Sequence, residues 1–325
     1  MPDISKIEAA AGRLKGHACH TPMLSSPFLD AIAGRRVFVK AECLQHTGSF
    51  KFRGAWAAVS AMTPEVRAKG VIAFSSGNHA QGVALAAKRH NAPAVVIMPA
   101  DAPRVKIANT RALGAEVVLY DRATEDRDAI GQRLATERGL TLIKPYDDEM
   151  VIAGQGTTGL EIAEQAAEHG ISDADVLVCC GGGGLTSGIA LALASRATGL
   201  RVRPVEPADF DDVTRSLAQG TRQKNASSAG SICDAIITPT PGEITLPIMQ
   251  RLCGAGIVVT DDEALRAVAL AWFRLKIVLE PGGAVALAAA LFHGEQILSQ
   301  DVICLASGGN VDSDVFARAL ATLTE

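Results

Sequence analysis

Residues 175–188 have the sequence DVLVCCGGGGLTSG, in which an apolar run enters four consecutive glycines and then a helical pattern. The run at 175–180 predicts a buried strand, because it lacks the alternation of a half-exposed one. Glycine has no Cβ, so the tetraglycine turn (181–184) can point its N–H groups inward, beside the positive end of the next helix. This turn therefore predicts a phosphate cradle. It matches neither GxGxxG nor a P-loop, so a dinucleotide or nucleoside triphosphate fits it less well.

The alternation of short apolar runs with longer helical patterns continues through most of the chain. Further strands are predicted at 36–41, 71–75, 94–98, 116–120, 202–206, 257–260 and 302–306. Helical patterns at 78–89, 103–113 and 261–279 lie between them. Strands that alternate with helices form parallel sheets covered on both faces, so we expect an α/β fold. The least regular segment, 210–241, is long enough to suggest a functional loop.

Composition and charge exclude several kinds of partner. The 325 residues are 20% charged and 4% aromatic, with a formal net charge of −4, so we expect no nucleic-acid partner. The uncharged segment 176–195 has the length of a membrane span, but its glycines disfavour a continuous helix, and no membrane partner is expected. The seven cysteines are odd in number and lack CxxC spacing, and no secretory signal is evident. Reduced thiols in a cytoplasmic protein are therefore expected.

Two more turns follow predicted strands, and one lysine lies between two phenylalanines. The turn SSGNH at 75–79 offers hydroxyl, amide and N–H groups that suit a carboxylate, and ASGGN at 306–310 ends the last strand. Ligands of open α/β sheets bind at such carboxyl ends of strands. Lys51, in the segment SFKFRGA at 49–55, is expected about one turn into a helix. Partial desolvation and the helix N-terminus lower the pKa of such an amine, which makes Lys51 a candidate nucleophile.

In this order, SFKFRGA, SSGNHAQG, the tetraglycine turn and SGGN resemble the fold type II pyridoxal-phosphate enzymes. The resemblance covers essentially the whole chain, and it is to the threonine/serine dehydratase and serine racemase branch. It implies two open, twisted, mostly parallel sheets with helices on both faces, as in tryptophan synthase β-like folds. It also implies a large cofactor-binding domain of residues 1–42 plus 146–325, a small substrate-side domain of residues 43–145, and a homodimer.

The resemblance implies a role for each turn. Lys51 would bind pyridoxal 5'-phosphate covalently and, once released, remove the substrate's α-proton. Phe50 would pack on the cofactor ring, Asn78 would bond its 3-hydroxyl, and Ser307 would share a hydrogen bond with its pyridine nitrogen. The phosphate would be held by Gly181, Gly182, Gly183, Gly184 and Leu185, and the substrate carboxylate by Ser75, Ser76, Gly77, Asn78 and His79. A neutral Ser307 makes the ring a weaker electron sink, which favours elimination or prompt reprotonation.

Two features resemble the serine racemase-like members in particular. Many dehydratases of this branch have Ala where this chain has Ser76, whereas the racemase-like members have Ser. A hydroxyl on the face opposite Lys51 could exchange a proton and allow racemisation as well as elimination, or it could simply bind carboxylate. The segment EPADFDD at 206–212 implies a divalent cation, Mg²⁺ or Ca²⁺, bound by Glu206, the Phe210 carbonyl and Asp212.

The resemblance implies an ammonia-lyase that converts a 3-hydroxy amino acid, such as L-threonine or L-serine, to a 2-oxo acid and ammonia. Serine racemase and 3-hydroxyaspartate dehydratase are alternatives; the latter needs a cation for the second carboxylate, which Arg127 or His79 could supply. A β-replacement transferase fits the SFKFRGA segment less well. From another class, a non-catalytic nucleotide-binding regulator could use the tetraglycine turn, but Lys51 and Ser307 argue against it. Because the chain ends soon after Ser307, we expect no isoleucine-regulated C-terminal domain.

Overall fold

The computed structural model of this chain describes residues 1–75, 77–102, 104–121 and 123–323. The strands are β1 (Met23–Ser25), β2 (Arg36–Lys40), β3 (Val71–Phe74), β4 (Ala94–Pro99), β5 (Glu116–Tyr120), β6 (Thr141–Leu142), β7 (Ala174–Cys179), β8 (Leu200–Pro207), β9 (Ile257–Val259) and β10 (Asp301–Leu305). The helices are α1 (Ile4–Leu14), α2 (Pro27–Ala33), α3 (Lys51–Ser60), α4 (Pro64–Lys69), α5 (Asn78–Arg89), α6 (Arg104–Ala112), α7 (Arg127–Arg138), α8 (Glu149–Glu168), α9 (Gly184–Arg196), α10 (Asp212–Gln219), α11 (Thr245–Leu252), α12 (Asp261–Leu275), α13 (Pro281–Phe292) and α14 (Ser313–Ala321).

These strands form two separate sheets within the described residues. The larger sheet has the order β1-β2-β10-β7-β8-β9, and the smaller has the order β5-β4-β3-β6. All neighbours are parallel except β1, which pairs antiparallel with β2. The predicted α/β fold with mostly parallel sheets is therefore confirmed, and all eight predicted strands are present.

The long helix α8 links the two sheets, because helices from both sides pack against it. Helix α9, which follows the large sheet's β7, and helix α3, which begins at Lys51, both contact α8. Small residues allow this close approach: a Cβ on Gly156 would lie 2.9 Å from the carbonyl oxygen of Gly188 in α9. The start of α3 is thus held at a fixed position relative to the large sheet.

The predicted strands agree with the structure to within two residues at each end, and three other predicted segments differ from it as follows. Helix α12 ends at Leu275 instead of residue 279, because Lys276 adopts a left-handed conformation with φ of 59°. Its start is well defined by a capping box between Thr260 and Glu263. The segment predicted as irregular, 210–241, contains helix α10, and helix α6 covers Arg104–Ala112 of the predicted 103–113. Among the described residues, we find no helix with the length and apolar character needed to cross a membrane.

Candidate active site

A cavity of about 560 Å³ lies where strands of both sheets reach their carboxyl ends. Residues at or just after the carboxyl ends of six strands form its wall, as expected for a ligand site in an α/β fold; the strands are β3, β4, β5, β6, β7 and β10. The structure brings nearly all the predicted site residues to this cavity: Phe50, Lys51, Ser75, Gly77, Asn78, His79, Arg127, Gly181, Gly182, Gly183, Gly184, Leu185 and Ser307. Ser76 lies outside the described residues.

Lys51 is the first residue of α3, so it lies nearer the helix N-terminus than the sequence predicted. Its Nζ donates a hydrogen bond to the carbonyl oxygen of Pro145 at 2.9 Å and lies 5.1 Å from the centre of the Phe50 ring. Burial lowers the pKa of the Lys51 amine to about 8, although the nearby Glu280 carboxyl opposes that shift. The amine is thus more easily deprotonated than an exposed lysine, as a nucleophile requires.

The segment before Lys51 is hydrogen-bonded to the turn after β10. The amide of Phe50 donates to the carbonyl oxygen of Ser307 at 3.1 Å, and the amide of Gly309 donates to the carbonyl oxygen of Gly48 at 2.9 Å. Ser307 itself is 4% exposed and lines the cavity. These two bonds therefore place the candidate nucleophile and the Ser307 hydroxyl in one wall.

The tetraglycine turn is closed around its neighbours so tightly that side chains would not fit. A Cβ on Gly181 would lie 2.8 Å from the carbonyl oxygen of Ile236, and one on Gly182 would overlap the ring of Tyr146. Gly183 has a φ of 89°, which favours glycine, and α9 begins at the next residue. The first amides of α9 have no partner within the helix, so they are available to an anion in the cavity.

Asn78, the first residue of α5, has both ends of its side chain engaged. Its Nδ2 donates to Oε1 of Glu280 at 2.5 Å, and its Oδ1 accepts from Nδ2 of Asn310 at 2.6 Å. Glu280 is 4% exposed, and burial raises the pKa of its carboxyl to about 7, against the effect of the Asn78 bond. A buried acid next to the predicted cofactor site was not predicted from the sequence.

His79 cannot supply the cation that the sequence analysis assigned to it as an alternative. Burial, together with the nearby Lys51 charge, lowers the pKa of the imidazole to about 3, so the ring is neutral at pH 7. Its Nε2 lies 2.8 Å from the carbonyl oxygen of Ile143, which only a protonated nitrogen can approach, leaving Nδ1 without the proton. His79 therefore does not attract a second carboxylate.

The cavity wall contains several cationic side chains. Besides Lys51, the cationic residues in its wall are Lys106, Arg127, Lys144 and Arg222, and the acidic ones are Asp147, Asp234 and Glu280. The guanidinium of Arg127 lies 5.5 Å from the centre of the Phe74 ring, and Lys106 Nζ lies 3.7 Å from Asp234 Oδ2. Arg127 thus lies in the cavity wall beside the end of β3.

Comparison with known proteins identifies the family. Residues 14–308 match the model for pyridoxal-phosphate dependent enzymes. The chain belongs to this family. It is 41% identical to L-threo-3-hydroxyaspartate ammonia-lyase of Saccharomyces cerevisiae, over 99% of this chain and 97% of the relative, and 44% identical to the Pseudomonas enzyme of the same name, over 96% of each. The crystal structure of a T.th. threonine deaminase has 42% identity and a TM-score of 0.90, over 96% of this chain and 99% of that one.

The family assignment confirms several predictions. The chain is a pyridoxal-phosphate-dependent lyase of fold type II, so the non-catalytic nucleotide-binding regulator is wrong. The cavity of this pyridoxal-phosphate enzyme also fits the cofactor: glycines line a cradle that Cβ atoms would fill, and a desolvated lysine faces it. Gln155, 1% exposed in the wall, has no hydrogen-bond partner among the described residues for either polar atom of its side chain. Such a group indicates a polar ligand in the loaded enzyme.

Sequence reasoning missed three residues of the wall of this pyridoxal-phosphate enzyme. Glu280 precedes Pro281 and looks like an ordinary helix start, and Tyr146 follows a proline in a loop. Only Gln155 carried a signal: a polar residue among glycines and threonines within the apolar pattern of α8. Burial and the two neighbouring acids Asp147 and Asp212 raise the pKa of the Tyr146 phenol, so it stays protonated at neutral pH.

The predicted cation ligands lie at the end of β8, where both acids are buried. Glu206 is 0% exposed, and its oxygens accept bonds from the amides of Val213 and Thr214. Asp212 is 1% exposed; its Oδ1 accepts from Asn225, and its Oδ2 has no partner among the described residues. Among all the residues that the structure describes, no group of three or more His, Cys, Asp or Glu side chains is arranged to hold a metal ion. The unpartnered Asp212 oxygen is the feature that fits a cation.

Proposed function

We propose that this enzyme is an ammonia-lyase of 3-hydroxy amino acids whose preferred substrate is L-threo-3-hydroxyaspartate. One substrate gives one 2-oxo acid and one ammonia, because the water lost from C3 balances the water that releases the ammonia. The observation that carries the choice of substrate is Arg127 in the wall of the cavity, since a second carboxylate needs a cation. The names of the relatives at 41% and 44% identity support the same substrate.

The proposed roles in cofactor and proton chemistry divide among residues that line the cavity. Bound pyridoxal phosphate supplies the electron sink for the bond that breaks at the α-carbon. The tetraglycine turn and Leu185 would hold the phosphate, and Phe50 would pack on the ring. Asn78 would donate to the 3-oxygen, and Ser307 would share a hydrogen bond with the pyridine nitrogen. Lys51 would hold the cofactor through Nζ and would accept the substrate's α-proton on the same atom. Its lowered pKa supports this exchange of protons near neutral pH.

The substrate's α-carboxylate is proposed to bind at the turn between β3 and α5. The amides that open α5 have no partner in the preceding turn of the helix, and the turn is short of bulky side chains. The amide of Gly77 donates to Ser75 Oγ at 3.2 Å, so the anion-binding amides of this turn would be those that open α5. Ser76 belongs to the proposed site by sequence alone.

The test of substrate choice compares two arginines on one helix. Arg127→Ala should lower kcat/KM for L-threo-3-hydroxyaspartate by about 10- to 100-fold, the worth of a charged hydrogen-bonded pair, while changing L-serine less than about threefold. The matched control is Arg133→Ala, whose side chain is 60% exposed and pairs with Glu137 on the same helix. Equal loss with both substrates, or no loss with either, would contradict the assignment. Lys51→Ala should abolish turnover of both.

Serine racemisation is a second candidate activity, favoured by Ser76 and by the 38% identity to serine racemase of Schizosaccharomyces pombe over 99% of this chain. A hydroxyl on the second face of the substrate would return a proton there. D-Serine formed from L-serine by the wild-type enzyme, and lost in Ser76→Ala while ammonia release persists, would support it. Absence of D-serine in the wild type would dismiss it.

A divalent cation, Mg²⁺ or Ca²⁺, is proposed at Glu206, the Phe210 carbonyl and Asp212. Oxygen ligands suit these ions, and Oδ2 of the buried Asp212 has no hydrogen-bond partner among the described residues, which leaves an acceptor for a cation. Such a cation would stabilise the segment between β8 and α10. Addition of EDTA should lower the melting temperature, and Mg²⁺ should restore it; no change would argue against the site.

The assembly and location follow from surface and thiol chemistry. Large apolar side chains are exposed on α2 and at the end of α12: Phe28, Ile32, Trp272 and Phe273. Because a patch of this kind favours burial against another surface, we assign it to a second copy of the chain, and Phe273→Asp should yield monomers by sedimentation.

Two domains with the predicted limits 43–145 and 1–42 plus 146–325 are supported by the separation of the two sheets. A cytoplasmic location is supported by seven unpaired cysteines.

A further inference from the structure

The acid that precedes α13 does not cap that helix. Glu280 occupies the N-cap position, where an acidic side chain ordinarily accepts a bond from the second or third helical amide, but it makes no such bond. Its side chain instead reaches Asn78 Nδ2, with 4% exposure. A Cβ on Gly308 would overlap Glu280 Oε1, so the glycine of the SGGN turn leaves room for this orientation.

The Glu280 bond belongs to a set of hydrogen bonds whose direction is fixed at Asn310. The carbonyl oxygen of Thr47 can only accept, so the Asn310 atom that bonds it at 2.8 Å must be the donor Nδ2. The same Nδ2 donates to Asn78 Oδ1 at 2.6 Å, so Asn78 must present its oxygen to Asn310 and its nitrogen to Glu280. An asparagine amide is nearly symmetric in shape, and its orientation is decided by its partners.

This direction decides which group Asn78 offers to the cavity. With Oδ1 held by Asn310 and one N–H held by Glu280, the remaining group on Asn78 is its second N–H, a donor. The Glu280 acceptor also polarises the Asn78 amide, because hydrogen bonds in a chain strengthen one another. A donor suits the oxygen on the ring of the cofactor, whereas the opposite orientation would present an acceptor to it.

We propose that Glu280 and Asn310 are positioning residues that lock the Asn78 amide with its donor toward the cofactor's ring oxygen. The inference rests on the proposed role of Asn78, and it adds that two residues outside the cofactor contacts determine how well Asn78 performs it. Glu280 acts as an acceptor of a hydrogen bond, so a neutral acceptor of the same shape should replace it.

The test measures the affinity of the apoenzyme for pyridoxal phosphate and the induced circular dichroism of the bound cofactor. Glu280→Ala should weaken the affinity by about 10- to 100-fold, within the cost of leaving a buried donor without its acceptor, and should change the dichroic band. Glu280→Gln should stay within about threefold of the wild type, since its amide oxygen can accept the same bond. In the Asn78→Ala background, Glu280→Ala should add less than about threefold, because the residue through which it acts is already absent.

Several outcomes would overturn the proposal. Wild-type affinity in Glu280→Ala, equal weakening in Glu280→Gln, or additive losses with Asn78→Ala would each do so. If Asn78→Ala itself binds the cofactor normally, the proposed role of Asn78 fails, which distinguishes that failure from this one. Should Glu280→Ala not fold, Asn310→Asp takes its place: it exchanges the donor facing Asn78 Oδ1 for an acceptor and should weaken binding as much. Asp312→Ala is the matched control, an N-cap acid that makes no capping bond and lies outside the cavity wall.

Discussion

Replacement of Arg53, two residues after Lys51, should strongly destabilise this enzyme. Arg53 lies in α3, is 1% exposed, and bonds both oxygens of Glu42 at 2.8 Å through Nε and Nη2. Its Nη1 and Nη2 also donate to Glu161 at 2.7 and 2.9 Å. Lys40, 0% exposed, shares Glu161 at 2.5 Å. Two cations and two carboxylates thus balance to zero inside the protein, with one bidentate pair fully desolvated.

The magnitude follows from the charge that remains after Arg53→Met. Methionine fills part of the volume but leaves Glu42 without its cation, so the buried cluster changes from a net charge of zero to −1. Breaking a buried ion pair by removing one partner costs about 3–5 kcal/mol, which is roughly a 200- to 5,000-fold change in the unfolding equilibrium. Arg36→Met is the matched control: Arg36 bonds Asp301 in the same bidentate manner, but its side chain is 55% exposed. Such an exposed pair is worth about 1 kcal/mol or less.

The assay is urea unfolding of the holoenzyme at fixed cofactor concentration, followed by circular dichroism at several pH values. Burial opposes ionisation of Glu161, but Arg53 and Lys40 outweigh it and lower the pKa of that carboxyl below its usual value. Its contribution to stability is therefore present above the unfolded pKa of about 4.3 and lost as the pH falls through the folded pKa. The difference between wild type and Arg53→Met should accordingly be full above about pH 4.3 and shrink as the pH falls below that value. A loss below about 1 kcal/mol at pH 7, or a difference independent of pH, would refute this reasoning.

Three further predictions concern the cavity and one helix. Gly181→Ala should weaken cofactor binding by about tenfold or more, because its Cβ would lie 2.8 Å from the backbone carbonyl oxygen of Ile236. Titration of the apoenzyme with pyridoxal phosphate measures this affinity, and an unchanged affinity would contradict the prediction. Gly12→Ala, the control for that titration, should instead raise stability by about 0.5–1 kcal/mol in urea, since the position is helical and nothing lies within 4 Å of the new Cβ. In the apoenzyme, the rate at which an amine-specific reagent labels Lys51 should rise with pH around a midpoint near 8, because only the unprotonated amine reacts and burial lowers its pKa; a midpoint above 10 would contradict this.

The fold was predictable from the sequence wherever an element buries both faces. Strands β4 and β7 are fully buried; β4 is an uninterrupted apolar run, and β7 is interrupted only by Asp175. The two missed strands, β1 and β6, are three and two residues long and lie at sheet edges, where no apolar run is needed. The predicted end of α12 was wrong because Lys276 adopts a left-handed backbone conformation, which a lysine in the sequence does not indicate.

The candidate site was predictable for turns made of unusual residues and not for partners chosen by three-dimensional proximity. The tetraglycine turn and the turn after β3 could be recognised in the sequence, because such residue combinations are seldom needed outside a binding site. Glu280 and Arg53 carry no such signal: each is a common residue at a common position, and its importance comes from which groups surround it. Physical chemistry can say that a buried carboxyl needs a partner, but only the folded chain says that the partner of Glu280 is Asn78.

What makes one cavity from separate turns is the order of strands in the large sheet. Strand β10 lies between β2 and β7, so its Ser307 turn is flanked by the segment that follows β2 and leads to Lys51, and by the tetraglycine turn that follows β7. Parallel strands end at the same edge, which places the three turns side by side although they are more than a hundred residues apart in sequence. Any change that moved β10 to the sheet edge would separate Lys51 from Ser307 while leaving every motif intact. The chemistry of this family therefore depends on strand order as much as on its glycines, and strand order is not encoded in any local pattern.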